Sequence, residues 1–117
     1  MTGSSDFEIV EGEGNDRTVA LRWRGRLDAS TAPVLLARAA RIQAEGRNLV
    51  LNLAEVTFLD SSGVGAMLVL TEQFQEQAGT VRFVALSEAA RTVVELLDLD
   101  RHLNIGATEA EASAKES

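Results

Sequence analysis

The chain has 117 residues, 45% hydrophobic and 25% charged, the size and composition of one ordinary domain that buries enough surface to fold without staples. Cysteine is absent, no apolar run approaches the ~18 residues of a membrane span, and Met1 to Asp6 has neither a basic start nor an apolar stretch. A disulfide framework, a thiolate site, membrane insertion and a secretory signal are therefore not expected, and the cytoplasm is the expected compartment.

The net charge of −7 argues against nucleic acid as a partner, because displacing counterions from phosphates needs a basic face. The charges are also unevenly placed. Residues 1–16 hold five acids and no base, residues 17–47 seven arginines against two acids, and residues 48–79 four acids and no base.

Asp6 to Val10 reads as a first strand, and the glycine-rich stretch 11–16 as a hairpin loop. In the second strand Val19, Leu21, Trp23, Gly25 and Leu27 alternate with Ala20, Arg22, Arg24 and Arg26, so one face packs and the arginine face meets water. A helix follows, capped by Ser30 or Thr31, with Pro33 in its first turn, Leu35, Ala39 and Ile42 on its inner face and Gly46 at its stop. Asn48 to Leu53 reads as a buried strand, with Val56 to Leu59 after it. A second helix is expected from about Ser62 to Gln77, with Val64, Met67, Leu68, Thr71 and Phe74 inside and Gly79 ending it. Thr80 to Leu86 is the next strand. Ser87 caps a third helix, whose first turn carries Glu88 at the positive end. Val93, Val94, Leu96 and Leu97 supply its apolar side, and a last short element is expected near Leu103 to Ile105. The order β-β-α-β-α-β-α predicts an α/β fold: a small mixed sheet of four to five strands with helices packed mainly on one face. Residues 1–106 form the domain, and 107–117 read as an acidic, frayed tail.

Asp60-Ser61-Ser62-Gly63-Val64-Gly65 lies where a strand-end loop turns into a helix, and it supports two readings. Asp and Ser are common helix caps, because their oxygens satisfy orphan backbone N–H groups, and glycine permits a tight turn into the helix. Alternatively, the free N–H groups and the helix dipole suit an anion, so a serine there accepts a phosphoryl group at little structural cost. A phosphoserine adds about −1.5 to −2 charges, with Asp60 adjacent and no cation between residues 48 and 79 to neutralise it. That charge would leave the fold intact and repel an acidic or apolar partner surface.

Enzymatic readings fit poorly. Leu68 stands where a dinucleotide fingerprint needs its third glycine, and no Gly-Lys-Ser/Thr follows. His102, the only histidine, would have to reach Ser61 or Ser62 to build a hydrolytic triad. Asp60 has no evident partner for metal or paired-carboxylate chemistry. No catalytic residue, metal or cofactor is assigned; a sensor of nucleotides or small molecules at the same anion seat is a further alternative.

The run from Leu51 to Gly65 (Leu-Asn-Leu-Ala-Glu-Val-Thr-Phe-Leu-Asp-Ser-Ser-Gly-Val-Gly) resembles the signature of STAS domains, in particular bacterial anti-sigma factor antagonists. Trp23-Arg24-Gly25-Arg26-Leu27-Asp28, with Thr31 and Ala32 shortly after, is similar to the turn before that family's first helix. Arg91 to Leu97, then Leu99-Asp100-Arg101, resembles its third helix and exit, although Leu97-Asp98 stands where members often show Thr-Gly. The resemblance covers about residues 6 to 106 and implies a STAS-like fold. It implies that Ser61 is phosphorylated by a partner anti-sigma factor, an ATP-dependent serine kinase of the histidine-kinase-like ATPase fold. The unphosphorylated protein would bind that kinase, and the phosphorylated one would release it until a PP2C-type phosphatase resets it. Asp28, Asp60, Ser61, Ser62 and Gly63 would form the partner-binding face. The alternative within the family is a non-phosphorylated adaptor in a membrane-associated lipid-trafficking or scaffold complex.

Overall fold

The alternation in the second strand divides the molecule into two faces. The computed structural model describes residues 7–12 and 14–106; Asp6 and the segment 107–117 lie outside them. The elements are β1 (Phe7–Glu11), β2 (Thr18–Leu27), α1 (Ala32–Ala44), β3 (Asn48–Leu59), α2 (Ser61–Glu76), β4 (Val81–Val84), α3 (Glu88–Leu96), a short 3-10 turn (Leu99–Arg101) and β5 (Ile105–Gly106). The sheet runs β1-β2-β3-β4-β5, with β1 antiparallel to β2 and every later pair parallel. This is the mixed α/β architecture expected, with five strands.

Val19, Leu21, Trp23 and Leu27 from β2 join Leu49, Leu51 and Leu53 from β3 and Val81 and Phe83 from β4 in one core with Leu35, Ala39, Met67, Leu70, Phe74 and Val94 from the helices. The opposite face of the sheet holds a separate small cluster of Ala20, Val50 and Val84. Such a split follows from the period of two: residues of one parity meet the helices and the others do not. Trp23 is fully buried; its ring stacks on Phe7 with centroids 4.9 Å apart, and its indole N–H donates to the Arg26 carbonyl at 2.9 Å. Edge strand β1 is thereby anchored to the core.

β3 is one strand of 12 residues rather than two pieces. Its pairing with β2 slips twice, from Arg22↔Asn52 to Arg24↔Glu55 and from Gly25↔Val56 to Arg26↔Phe58. Each slip inserts one extra residue into β3, as a β-bulge does, so the inward residues Leu53, Val56 and Leu59 fall three apart. Gly25, at φ 103°, occupies backbone space that other residues avoid and sits at the second slip.

Several boundaries and faces differ from expectation. β1 ends at Glu11 and β4 covers only Val81–Val84. The buried residues of α2 are Gly63, Val64, Ala66, Met67, Leu70 and Phe74, whereas Leu68 is exposed and Thr71 half-buried. At 3.6 residues per turn Leu68 lies well off the arc centred on Met67 and Phe74. α2 ends at Glu76, and the left-handed residue after it is Ala78, at φ 58°, not Gly79. In α3 only Ala90 and Val94 are buried; Leu96 is 80% and Leu97 52% exposed. The chain turns at Asp98, and Leu99 and Leu103 close the core instead.

Candidate functional site

The parallel strands β2 and β3 end side by side, with Leu27 opposite Leu59, so the helices that follow them begin at one pole of the molecule. What holds these two helix starts together is Gly63. A Cβ at this position would lie 2.5 Å from the Leu27 carbonyl oxygen and 2.5 Å from the Leu59 side chain. The first turn of α2 thus rests directly on the end of β2, immediately before Asp28.

Asp60 is the N-cap of α2: its Oδ1 accepts the N–H groups of Ser62 at 3.0 Å and Gly63 at 3.1 Å. The capping reading of the motif therefore belongs to Asp60, and Ser61 is the first helical residue, one position earlier than expected. Ser61 is exposed, and its hydroxyl has no hydrogen-bond partner among the described residues. Ser62 is half-buried and Gly63 buried. Within three residues the chain passes from solvent into the core, and the hydroxyl at the outer end stands clear.

Asp28 organises the start of α1. Its Oδ1 accepts the Ser30 hydroxyl at 2.8 Å, the Ser30 N–H at 3.0 Å and the Thr31 N–H at 3.3 Å, while Oδ2 accepts from Arg26 Nε at 2.9 Å. The Ser30 hydroxyl, helped by Arg26 and by the two backbone N–H groups, pulls the Asp28 carboxyl down to about 2 against partial desolvation. Thr31, the N-cap by position, makes no capping bond. Its buried hydroxyl donates instead to the Arg26 carbonyl at 3.0 Å and accepts the Asp28 N–H at 2.9 Å, tying α1 to the end of β2.

One neighbour has no signal in the sequence. Phe58 is 40% exposed on the helix-free face, and the Arg26 guanidinium lies 4.3 Å over its ring. The second bulge turns Phe58 outward, opposite Arg26. Nothing in a period-two reading of Val56 to Leu59 points to that placement.

The structure therefore brings Asp28, Asp60, Ser61, Ser62 and Gly63 to one pole. It does not bring His102 there. His102 lines a small cavity with Thr71, Gln75, Gly79 and Thr80 at the far end of α2, and that 16-residue helix is about 24 Å long. Ser61 and His102 cannot share a triad. Among the described residues no cluster of His, Asp or Glu is arranged to hold a metal, and no described helix is long and apolar enough to cross a membrane.

Residues 10–112 match the STAS domain family, and the chain belongs to that family. It is 24% identical over 98 residues to the anti-sigma-B factor antagonist of Bacillus subtilis, covering 84% of this chain and 90% of that protein. Its fold matches the crystal structure of an anti-sigma factor antagonist from Mycobacterium paratuberculosis with a TM-score of 0.81 at 24% identity, over 99% of this chain and 98% of the other. It also matches the Bacillus cell fate determinant SpoIIAA in its phosphorylated form, with a TM-score of 0.71 at 24% identity, over 92% of this chain and 98% of the other.

Proposed function

We propose that this chain is an anti-sigma factor antagonist whose binding state is set by phosphorylation of Ser61. The observation that carries this reading is the Ser61 hydroxyl: exposed, without a hydrogen-bond partner among the described residues, and presented on the first turn of a helix whose start is fixed by Asp60 and Gly63. A hydroxyl so placed is reachable by a kinase and can be esterified without breaking any described contact. That one similar fold is a phosphorylated form adds support.

In this reading the chain is a substrate and a ligand rather than an enzyme, and it acts in the cytoplasm. Its partner is an anti-sigma factor serine kinase of the histidine-kinase-like ATPase fold. That kinase supplies ATP, magnesium and the base that takes the Ser61 proton as the new O–P bond forms and ADP departs. Unphosphorylated, the face of Asp28, Asp60, Ser61, Ser62 and Gly63 binds the kinase. Phosphorylated, it carries about two more negative charges beside two carboxylates and lets go, until a PP2C-type phosphatase removes the group.

Incubation with the kinase and ATP, resolved on phosphate-affinity gels, tests the reading. The wild type should shift and Ser61→Ala should not. Calorimetry should show Ser61→Asp binding the kinase at least tenfold more weakly than wild type. An unshifted wild type, a modified Ser61→Ala, or equal affinity of Ser61→Asp would overturn it, and an unshifted wild type that still binds its partner would favour the adaptor role.

A further inference from the structure

We propose that Arg26 is the counter-cation for a phosphate on Ser61, exchanging Asp28 for the phosphoryl oxygens when that serine is modified. The inference rests on Ser61 being the phosphate acceptor and adds the residue that answers the new charge.

The need for such a residue follows from the cap. A phosphate at a helix start ordinarily draws on the free backbone N–H groups there. Here Asp60 Oδ1 already occupies those of Ser62 and Gly63. A phosphorylated Ser61 would therefore share its pole with the Asp28 and Asp60 carboxylates while two of its natural donors are taken. No lysine or arginine lies between residues 48 and 79, so a counter-cation from this chain would come from another element.

β2 supplies it. Arg26 is the last cation of the strand before the pole; it faces Phe58 across the β2–β3 pair, and the next residue, Leu27, underlies the first turn of α2 through Gly63. Arg24, one step further down, is held by Glu55 at 2.8 Å and Glu8 at 3.4 Å. Among the described residues Arg26 has a single carboxylate partner, Asp28, and its half-exposed guanidinium rests on the open ring of Phe58. A flat cation on an aromatic face can swing over that surface while keeping the stacking contact. A phosphate dianion offers it more charge and more acceptors than one carboxylate oxygen.

The bonding of Asp28 makes the exchange cheap for the fold. Its two oxygens divide the work: Oδ1 holds Ser30 and Thr31 at the start of α1, and Oδ2 holds only Arg26 among the described residues. When Arg26 leaves, α1 keeps its first turn and Oδ2 is uncovered. Phosphorylation would thus change the surface at two places, adding charge at Ser61 and exposing charge at Asp28.

The test uses full-length protein with phosphoserine installed at position 61 by genetic encoding, so no kinase is needed. Titration of the phosphoserine by phosphorus NMR reads its second ionisation, ordinarily near pH 6. A nearby cation favours the dianion, so the wild type should titrate about half a unit or more below Arg26→Gln. Arg26→Lys should stay close to wild type and Arg24→Gln should leave the titration unchanged. The Arg26 Nε–H resonance should also move between the unmodified and phosphorylated wild-type chains. Equal titration of wild type and Arg26→Gln, an equal effect of Arg24→Gln, or an unmoved Arg26 resonance would overturn the proposal. Failure of a kinase to modify Ser61 would sink the functional reading and leave this measurement as it stands.

Discussion

The Leu27 carbonyl and the α-carbon of Gly63 approach so closely that no side chain fits between them, a Cβ on Gly63 falling 2.5 Å from that oxygen. This contact fixes the height of α2 over the end of β2, and with it the position of Ser61 relative to Asp28.

Gly63→Ala tests the contact. Helix propensity alone would favour alanine by about 1 kcal/mol, but the backbone oxygen cannot yield as a flexible side chain would. Net destabilisation of about 1–3 kcal/mol is expected from the overpacking, read from urea unfolding followed by circular dichroism. Amide shifts in the first turn of α2 should accompany it. An alanine variant as stable as wild type would show that α2 has room to lift.

Asp60 and Ser61 should separate cleanly in stability. Asp60→Ala removes the acceptor of two first-turn N–H groups and should cost about 1 kcal/mol, as lost N-caps do. Ser61→Ala removes a hydroxyl with no described partner and should lie within about 0.5 kcal/mol of wild type, as surface changes do. Equal losses at both positions would contradict this division of roles.

The acid limb of the stability curve should carry the mark of Asp28. Its carboxyl is held at about 2, down from an ordinary 3.8, so on acidification the unfolded chain takes up this proton first. The stability from this group is complete above about pH 4 and drains away as the pH falls toward 2. Asp28→Asn should be less stable than wild type at neutral pH, with the gap narrowing through that window. A gap constant from pH 6 to pH 2 would show that Asp28 is not held in its charged form.

Ala78 ends α2 in a left-handed conformation, at φ 58°, which strains a residue bearing a Cβ by about 1–2 kcal/mol. Ala78→Gly relieves the strain at some cost in unfolded-chain entropy. A gain of about 0.5–1 kcal/mol is expected in the same urea experiment, and a loss would mean that Ala78 makes a contact outweighing its backbone.

The succession of elements, the three helices and the Asp-Ser-Ser-Gly turn are legible in the sequence because each rests on local rules. Alternation in β2, the proline and glycine brackets of α1 and the serine cap of α3 all act within a few residues of themselves. What escapes a reading of the sequence depends on pairing between strands. The two bulges convert an inward period of two into Leu53, Val56 and Leu59, which reads as a break in the strand and hides Phe58 as a surface residue. The faces of α2 and α3 depart from expectation where several apolar residues compete for a narrow stripe. Leu68, Leu96 and Leu97 lose to Leu70, Leu99 and Leu103, a choice made by the volume left between helix and sheet. Of the candidate site residues, Asp60, Ser61, Ser62 and Gly63 can be grouped from the motif and Asp28 only from the family resemblance, and the division of labour between the oxygens of Asp28 is visible only in three dimensions.

Trp23 gives this arrangement a built-in optical probe. It is the chain's only tryptophan, and its indole N–H is bonded to the carbonyl of Arg26, the strand residue that borders the pole. A tug on that residue, from a docked protein or from an ester on the neighbouring helix, reaches the indole through a single hydrogen bond. Emission wavelength and intensity can therefore follow events at the pole in unlabelled protein, against a background with no second fluorophore of its kind.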